Sequence, residues 1–310
     1  MKESSITELL EIISIPTTEK NILIVSSIIN STDCFYRSFN IPKRKGGFRN
    51  IHAPYPTLHL LQSKIKTLIL DDARVSVNAF AYVKNRSYIE HAKCHCGCNE
   101  LLTLDIKDFF PNISRQNVFK AFSRQGLSEI QSNYLSYLCT LNDSLPQGAC
   151  TSPSISNIVF SDIDNRLNKL ALSFGLKYSR YADDLAFSGD YVPNVVGKIV
   201  CEILLDYGFT LNKRKTKLKK KGSKKIITGV SISSGEVKAP KAFKRSLRAE
   251  IFELEKNKDN LIEMPNFEPM IYEKLLGKLN YLLQVEPENN YAINKKNMLI
   301  SNYKEFVNIS

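Results

Sequence analysis

The chain has 310 residues, with 43 lysines and arginines against 31 acids and a formal net charge of +12. That length can bury a sizeable core and suits one multi-lobed enzyme better than two independent domains, and the charge points to a polyanionic partner. Lys2, Glu3, Glu8 and Glu11 argue against a secretory signal, and the apolar run from Ile22 to Ile29 is too short to span a bilayer, so a cytoplasmic protein with no membrane partner is expected.

Ser5 to Ile13 and Glu19 to Asn30 read as helices, and Phe35 to Ala53 as a hairpin. Lys43, Arg44, Lys45 and Arg49 surround the Gly46-Gly47 turn signature of that hairpin. A cationic tip of this kind can close over a triphosphate; without the acidic motifs downstream it would read as a solvated edge loop. Leu58 to Leu70 has helical apolar spacing. His91, Cys94, His95, Cys96 and Cys98 form a tempting cluster, but structural zinc usually wants Cys-x-x-Cys knuckles with a second pair at a distance. Here three cysteines alternate in one short segment, so a turn is expected and metal binding stays open. Thiols in a cytosolic chain stay reduced.

Leu101 to Leu104 reads as a short buried strand with Asp105 at its end. Asp108 falls in the following turn, where local hydrogen bonding or solvation accounts for it. Phe109 and Phe110 are by default core aromatics, with one bordering a nucleotide sugar as the sharper alternative. Gly148 permits close backbone approach, and Pro153 sits where a helix can begin; Ile155 to Phe174 then carries helical spacing. Tyr181-Ala182-Asp183-Asp184 lies between β-forming flanks, which suggests a hairpin with both carboxylates at its tip. Their mutual repulsion calls for cations, and an oxygen-only site suits Mg²⁺. Asp105, Asp183 and Asp184 together make a three-carboxylate cradle for two metals roughly 3.5–4 Å apart, the arrangement of two-metal phosphoryl transfer.

Val195 to Tyr207 reads as an amphipathic helix stopped by Gly208. From Asn212 to Lys225 nine residues are Lys or Arg, Lys213 and Lys215 among them, and none is acidic. Such a run is usually solvated, but beside a phosphoryl-transfer site it can track phosphates. Ile226 to Ser231 and Glu236 to Lys238 look like a second hairpin around Ser234-Gly235. A helix starting near Pro240 presents Lys241, Lys244, Arg245 and Arg248 as one stripe, with Lys238 just before it. The last seventy residues are helix-rich, with an apolar stripe at Tyr272, Leu275, Leu276, Leu279, Leu282 and Leu283.

Asp105-Ile106-x-x-Phe109-Phe110-Pro111, then Leu145-Pro146-Gln147-Gly148, then Tyr181-Ala182-Asp183-Asp184 resembles a reverse transcriptase, and more narrowly the bacterial retron enzymes. Ile41 to Pro54 is similar to the retron fingers motif, and Ile227-Thr228-Gly229 resembles the family's Val-Thr-Gly. His91-Ala92-Lys93-Cys94-His95 sits where the family carries Asn-Ala-x-x-His; Ala92 and His95 match, while His91 departs from it. The resemblance implies an α+β right-hand polymerase: fingers at 1–98 with 114–148 returning to them, palm at 99–113 and 149–238, with an antiparallel sheet packed on helices, and a helical thumb at 239–310.

It implies an RNA-directed DNA polymerase that binds its own structured noncoding RNA. DNA would be extended from an internal guanosine 2′-hydroxyl to give branched RNA–DNA (msDNA), in anti-phage defence with an accessory effector protein. Asp105, Asp183 and Asp184 would hold two Mg²⁺, with Mn²⁺ as substitute, and Ile106 would lend a backbone carbonyl. Lys45 and Arg49 would neutralise the dNTP triphosphate, Gln147 would contact nucleotide or template, and Phe110 would border the sugar. Lys213, Lys215, Thr228, Gly229, Lys241, Lys244, Arg245, Arg248 and His95 would contact nucleic acid. A group II intron or diversity-generating enzyme is the alternative within the class; an RNA-binding scaffold restraining a toxic effector is the alternative outside it.

Overall fold

The computed structural model describes residues 3–43, 46–258 and 268–307. In chain order, α1 (Glu3–Ile12) and α2 (Glu19–Asn30) lead into the hairpin β1 (Tyr36–Pro42) and β2 (Phe48–Pro54). There follow α3 (Pro56–Ile65), α4 (Tyr88–Lys93), β3 (Glu100–Asp105), α5 (Arg115–Ser123), α6 (Glu129–Cys139) and α7 (Ser152–Ser173). The hairpin β4 (Lys177–Tyr181) and β5 (Asp184–Gly189), α8 (Asn194–Leu205) and β6 (Lys217–Lys219) come next. The chain ends with β7 (Ile226–Ile227), β8 (Val230–Ser231), α9 (Lys241–Lys256), α10 (Ile271–Val285) and α11 (Asn290–Val307). It is an α+β chain that divides into two compact units, Met1–Ser87 with Leu102–Leu218, and Tyr88–Leu101 with Lys219–Ser310. Among the described residues no helix is long and apolar enough to cross a membrane.

In the first unit, helices form where apolar spacing and caps coincide. Ile6, Leu9, Leu10 and Ile13 bury one stripe of α1, and Thr18 caps α2 by accepting from the Asn21 amide at 3.3 Å. Pro56 opens α3 at its first turn, and the helix continues through Leu70 by one wider turn. Helices α5 and α6 each begin with a reciprocal capping box, Ser114 with Asn117 and Ser128 with Gln131. Strands β1 and β2 pair antiparallel from Tyr36 opposite Pro54 to Pro42 opposite Phe48. A four-stranded sheet runs in the order β4-β5-β3-β6, and α7 packs on it with Ile155, Ile158, Ile163 and Leu167 buried. Phe109, Phe160 and Phe209 meet in this core, Phe160 at 4.9 Å from Phe109 and 4.7 Å from Phe209 between ring centroids.

In the second unit, α9 buries Leu247, Ile251 and Leu254, and α10 buries Tyr272, Leu275, Leu279 and Leu282. The expected hairpin around Ser234-Gly235 is accompanied by a tighter one. Thr228 (φ 44°) and Gly229 (φ 86°) turn the chain between β7 and β8, while Ser231 and Lys238 exchange two 2.8 Å backbone bonds around Gly235. The His91 to Cys98 segment is a short helix and turn rather than a turn alone, with Gly97 at φ 78°.

Candidate active site

The β4–β5 hairpin closes with Tyr181 opposite Asp184, leaving Ala182 and Asp183 as its two-residue turn. Ala182 has φ 55°, the left-handed conformation such tight turns demand and that a residue with a Cβ adopts at a cost. The end of β3 lies beside this turn, because the Ile106 amide donates to the Asp183 carbonyl at 2.9 Å. On the other side, the Asn212 amide donates to the Asp105 carbonyl at 2.8 Å and the Lys107 amide to Thr210 at 2.9 Å. The two acidic motifs, far apart in sequence, therefore meet at one edge of the sheet.

The assembled charge is perturbed as crowded anions should be. Burial raises the Asp183 carboxyl, and Asp105 adds to the rise against the opposing pull of a backbone bond, Lys215 and Arg49. Asp184 is exposed as a residue, yet desolvation by the surrounding protein, followed by the charges of Asp183 and Asp105, moves its carboxyl up to about 7. Lys215 Nζ stands 2.6 Å from Asp105 Oδ2, and that bond, with the three carboxylates behind it, holds the ammonium protonated more firmly than usual. Among the described residues no three His, Cys, Asp or Glu side chains already stand in ligand geometry. Around Asp105 the local cation is Lys215.

A cavity of about 630 Å³ opens in front of this edge, lined by Arg49, Tyr82, Asp105, Phe110, Gln147 and Asp183 among others. Phe109 is core, 5% exposed; Phe110 is half-buried and faces the cavity. The Gln147 loop is held against β2, since the His52 amide donates to the Gln147 carbonyl at 2.8 Å. Gly148 is required there: its φ is 133°, and a Cβ would stand 2.7 Å from the His52 carbonyl oxygen. Asp108 is exposed in the turn after β3 at φ 46°.

The remaining sequence candidates divide. Lys45 lies outside the described residues, as does Arg44. Ile106 is buried, opposite Leu211 in a short bridge, and Lys213 is exposed. In the second unit, Lys241, Arg245 and Arg248 are exposed along α9, with Arg248 over the Tyr291 ring at 4.9 Å. Lys244, by contrast, is engaged by Glu286 at 2.9 Å. Thr228 Oγ1 donates to the Tyr88 carbonyl at 3.2 Å, and the Gly229 carbonyl accepts from the Tyr281 hydroxyl at 3.4 Å. His95 is fully buried and meets the His91 ring edge-on, so it has no surface with which to touch nucleic acid directly.

Two features escape a linear reading. Lys215 is Asp105's partner across 110 residues, although by sequence it is one cation in a basic run. Arg180 and Asp164 form a fully buried ion pair, with bonds of 2.9 and 2.8 Å. Asp164 falls on the buried stripe of α7 beside Phe160, Ile163 and Leu167, and a carboxylate on such a stripe is the signal that a buried cation must answer it.

The chain matches the family described as Reverse transcriptase (RNA-dependent DNA polymerase) over residues 41–238. It is 30% identical over 267 residues to the Retron Ec86 reverse transcriptase of Escherichia coli, covering 85% of this chain and 80% of that one. It is 34% identical over 219 residues to the Retron Mx65 reverse transcriptase of Myxococcus xanthus, covering 64% of this chain and 51% of that one. Among solved structures, apo telomerase from Candida tropicalis aligns with a TM-score of 0.50 at 12% identity, over 87% of this chain and 58% of the telomerase chain, a likeness of fold alone.

Proposed function

Since the chain belongs to the reverse transcriptase family, and within it to the retron enzymes, whose reaction is RNA-directed DNA synthesis, we propose that Asp105, Asp183 and Asp184 are its catalytic carboxylates. The observation that carries this reading is the meeting of the β3 end with the β4–β5 turn, which sets Asp105 and Asp183 on the wall of one cavity, with Asp184 next along β5. Their fit to divalent cations rests on the donor chemistry: every side-chain donor is a carboxylate oxygen, as Mg²⁺ prefers, and beyond burial the Asp105 charge raises Asp183 while Asp183 and Asp105 raise Asp184. Asp105, Asp183, Asp184 and the Ile106 carbonyl would hold two Mg²⁺, or Mn²⁺ in their place. When bound, the ions supply activation of the attacking hydroxyl and stabilisation of the pyrophosphate leaving group.

The chain's own groups do the rest. Asp105 is paired with Lys215 at 2.6 Å; with a cation held by Asp105, the Lys215 ammonium would be available to nucleic-acid or triphosphate oxygens. Arg49, with Lys45, neutralises the triphosphate; Gln147 contacts nucleotide or template from a loop pinned to β2; Phe110 borders the sugar. The assignment of fingers, palm and thumb made from the sequence belongs to this reading, with 88–101 grouped in compactness with the carboxy-terminal unit. The cognate partner would be a structured noncoding RNA bound through Lys213, Thr228, Gly229 and the α9 cations. The product would be msDNA branched from a guanosine 2′-hydroxyl, in an anti-phage system with an effector protein.

The branching chemistry is tested with RNA transcribed from the region beside the gene. DNA joined to that RNA is expected with the natural branch guanosine, and none when the same nucleotide is 2′-deoxyguanosine. Equal DNA synthesis on both would remove the 2′-hydroxyl priming from the proposal.

A further inference from the structure

Tyr82 is 52% exposed yet holds a left-handed backbone at φ 60°, a conformation that costs free energy at a residue with a side chain. Its ring lines the cavity of the carboxylates and lies 6.4 Å from the Phe110 ring. The charges of Asp183 and Arg49 both act on its phenol. An ordinary surface tyrosine in a loop would be free to move, but this segment is clasped from below. Arg86 Nη1 donates to the carbonyls of Val77 and Ala79 at 2.7 and 2.6 Å. The Phe80 amide donates to the Arg180 carbonyl and the Arg180 amide to the Asn78 carbonyl, both at 2.8 Å.

The link closest to Tyr82 is Asn157, 1% exposed on α7. Its Nδ2 donates to the Ala81 carbonyl at 2.8 Å. Its Oδ1 accepts from Arg180 Nη1 at 3.0 Å, and the same Nη1 reaches the Ala182 carbonyl at 3.3 Å. One buried amide thus ties the peptide that carries Tyr82 to the arginine beneath the turn that carries Asp183. Both left-handed residues, Tyr82 and Ala182, hang from one network anchored by Asp164.

We infer that Tyr82 is an aromatic contact for the nascent base pair, and that Asn157 is the positioning residue that couples it to the turn carrying Asp183. The inference rests on the catalytic reading of that turn. A rigid ring beside Phe110 offers a face for a nucleobase or its sugar, and every base has a face to stack. The base could belong to the incoming nucleotide or to the template, and the two are separable by measurement.

The experiment is steady-state single-nucleotide extension on an annealed RNA template and DNA primer, with primer–template affinity measured alongside. Tyr82→Ala is expected to raise the dNTP KM about tenfold, the scale of one lost stacking contact, with kcat within about threefold. The same loss appearing in primer–template Kd instead identifies the templating base as the ligand. Asn157→Ala should shift the same parameter, and the double variant should be no worse than Tyr82→Ala, because the two act as one. Asn157→Asp keeps the acceptor for Arg180 but loses the donor to Ala81, and serves if Asn157→Ala melts early. Tyr82 is exposed, so its own variant should fold; if it moves neither KM nor Kd, or if the two single effects multiply in the double, the inference falls. Asp183→Asn in the same assay keeps the cases apart: extension surviving that change removes the catalytic reading, whereas its loss beside an unaffected Tyr82→Ala removes only this inference.

Discussion

Replacing Phe110 with Val should relax the choice of sugar. The ring lines the cavity with Asp105 and Asp183, and it rests on Phe109 at 5.2 Å and near Tyr82 at 6.4 Å between centroids, so it has little room to retreat from a 2′-hydroxyl. Forcing extra atoms into a packed site costs about 1–3 kcal/mol, and about 1.4 kcal/mol is tenfold in rate. The expected gain in ribonucleotide over deoxyribonucleotide incorporation is therefore about tenfold, within a range of about 5- to 150-fold. Stability separates the gate from simple damage. A fully buried Phe lost to Ala costs about 3–5 kcal/mol, which applies to Phe109 at 5% exposure; half-buried Phe110 should cost less. The assay is single-nucleotide extension with dNTP and rNTP in parallel, with thermal melts of both Phe variants. Proportional loss of both incorporations in Phe110→Val, or relaxation in Phe109→Val instead, would refute the reasoning.

Other consequences are equally direct. Burial opposes ionisation of Glu286, but bonds from Lys244, Asn289 and the Ala239 amide outweigh it and hold its carboxyl below the ordinary 4.5. Because the folded value is the lower one, its stabilisation is present above the unfolded value and lost as pH falls through the folded one. Glu286→Gln should lower stability by about 1.5–3 kcal/mol at neutral pH, with the gap to the parent closing in acid; a gap independent of pH in denaturant melts would contradict this. Neutralising Lys241, Arg245 and Arg248 together should reduce the slope of log K for RNA against log salt by about two to three units. Lys244→Gln alone should change that slope little, since Lys244 is held by Glu286; an unchanged slope in the triple variant would make the stripe a solvated face.

How far the sequence could be read depended on where each signal was local. The β4–β5 hairpin was legible because an acidic pair sits between β-forming flanks, though the turn falls one residue earlier, at Ala182-Asp183, with Asp184 already in β5; α7 and α10 were legible because their apolar residues recur every three or four positions. Asp105 was legible as a strand-end acid, and Phe109 against Phe110 was left open because neighbours in a turn differ only in which way the chain bends. Helices α5 and α6 were not expected from the sequence, although in the structure each opens on a capping box, at Ser114 and Ser128. The Thr228-Gly229 turn was hidden because Thr rarely takes a positive φ. The basic stripe was read as uniform, although Glu286, 42 residues on, claims Lys244. Lys215 with Asp105, and Asn157 with Ala81, are contacts between distant segments that no local pattern encodes.

The central claim is that Asp183 belongs to the chemistry and not to the binding of RNA. Asp183→Asn keeps the size of the side chain in the turn and removes the anionic charge proposed to hold metal, while phosphate contacts elsewhere would carry affinity. Primer extension in Mg²⁺ and RNA affinity, measured on the same preparation, give the test. Loss of DNA synthesis with RNA affinity kept within a few-fold is the expected result; extension near the parent rate would contradict the account.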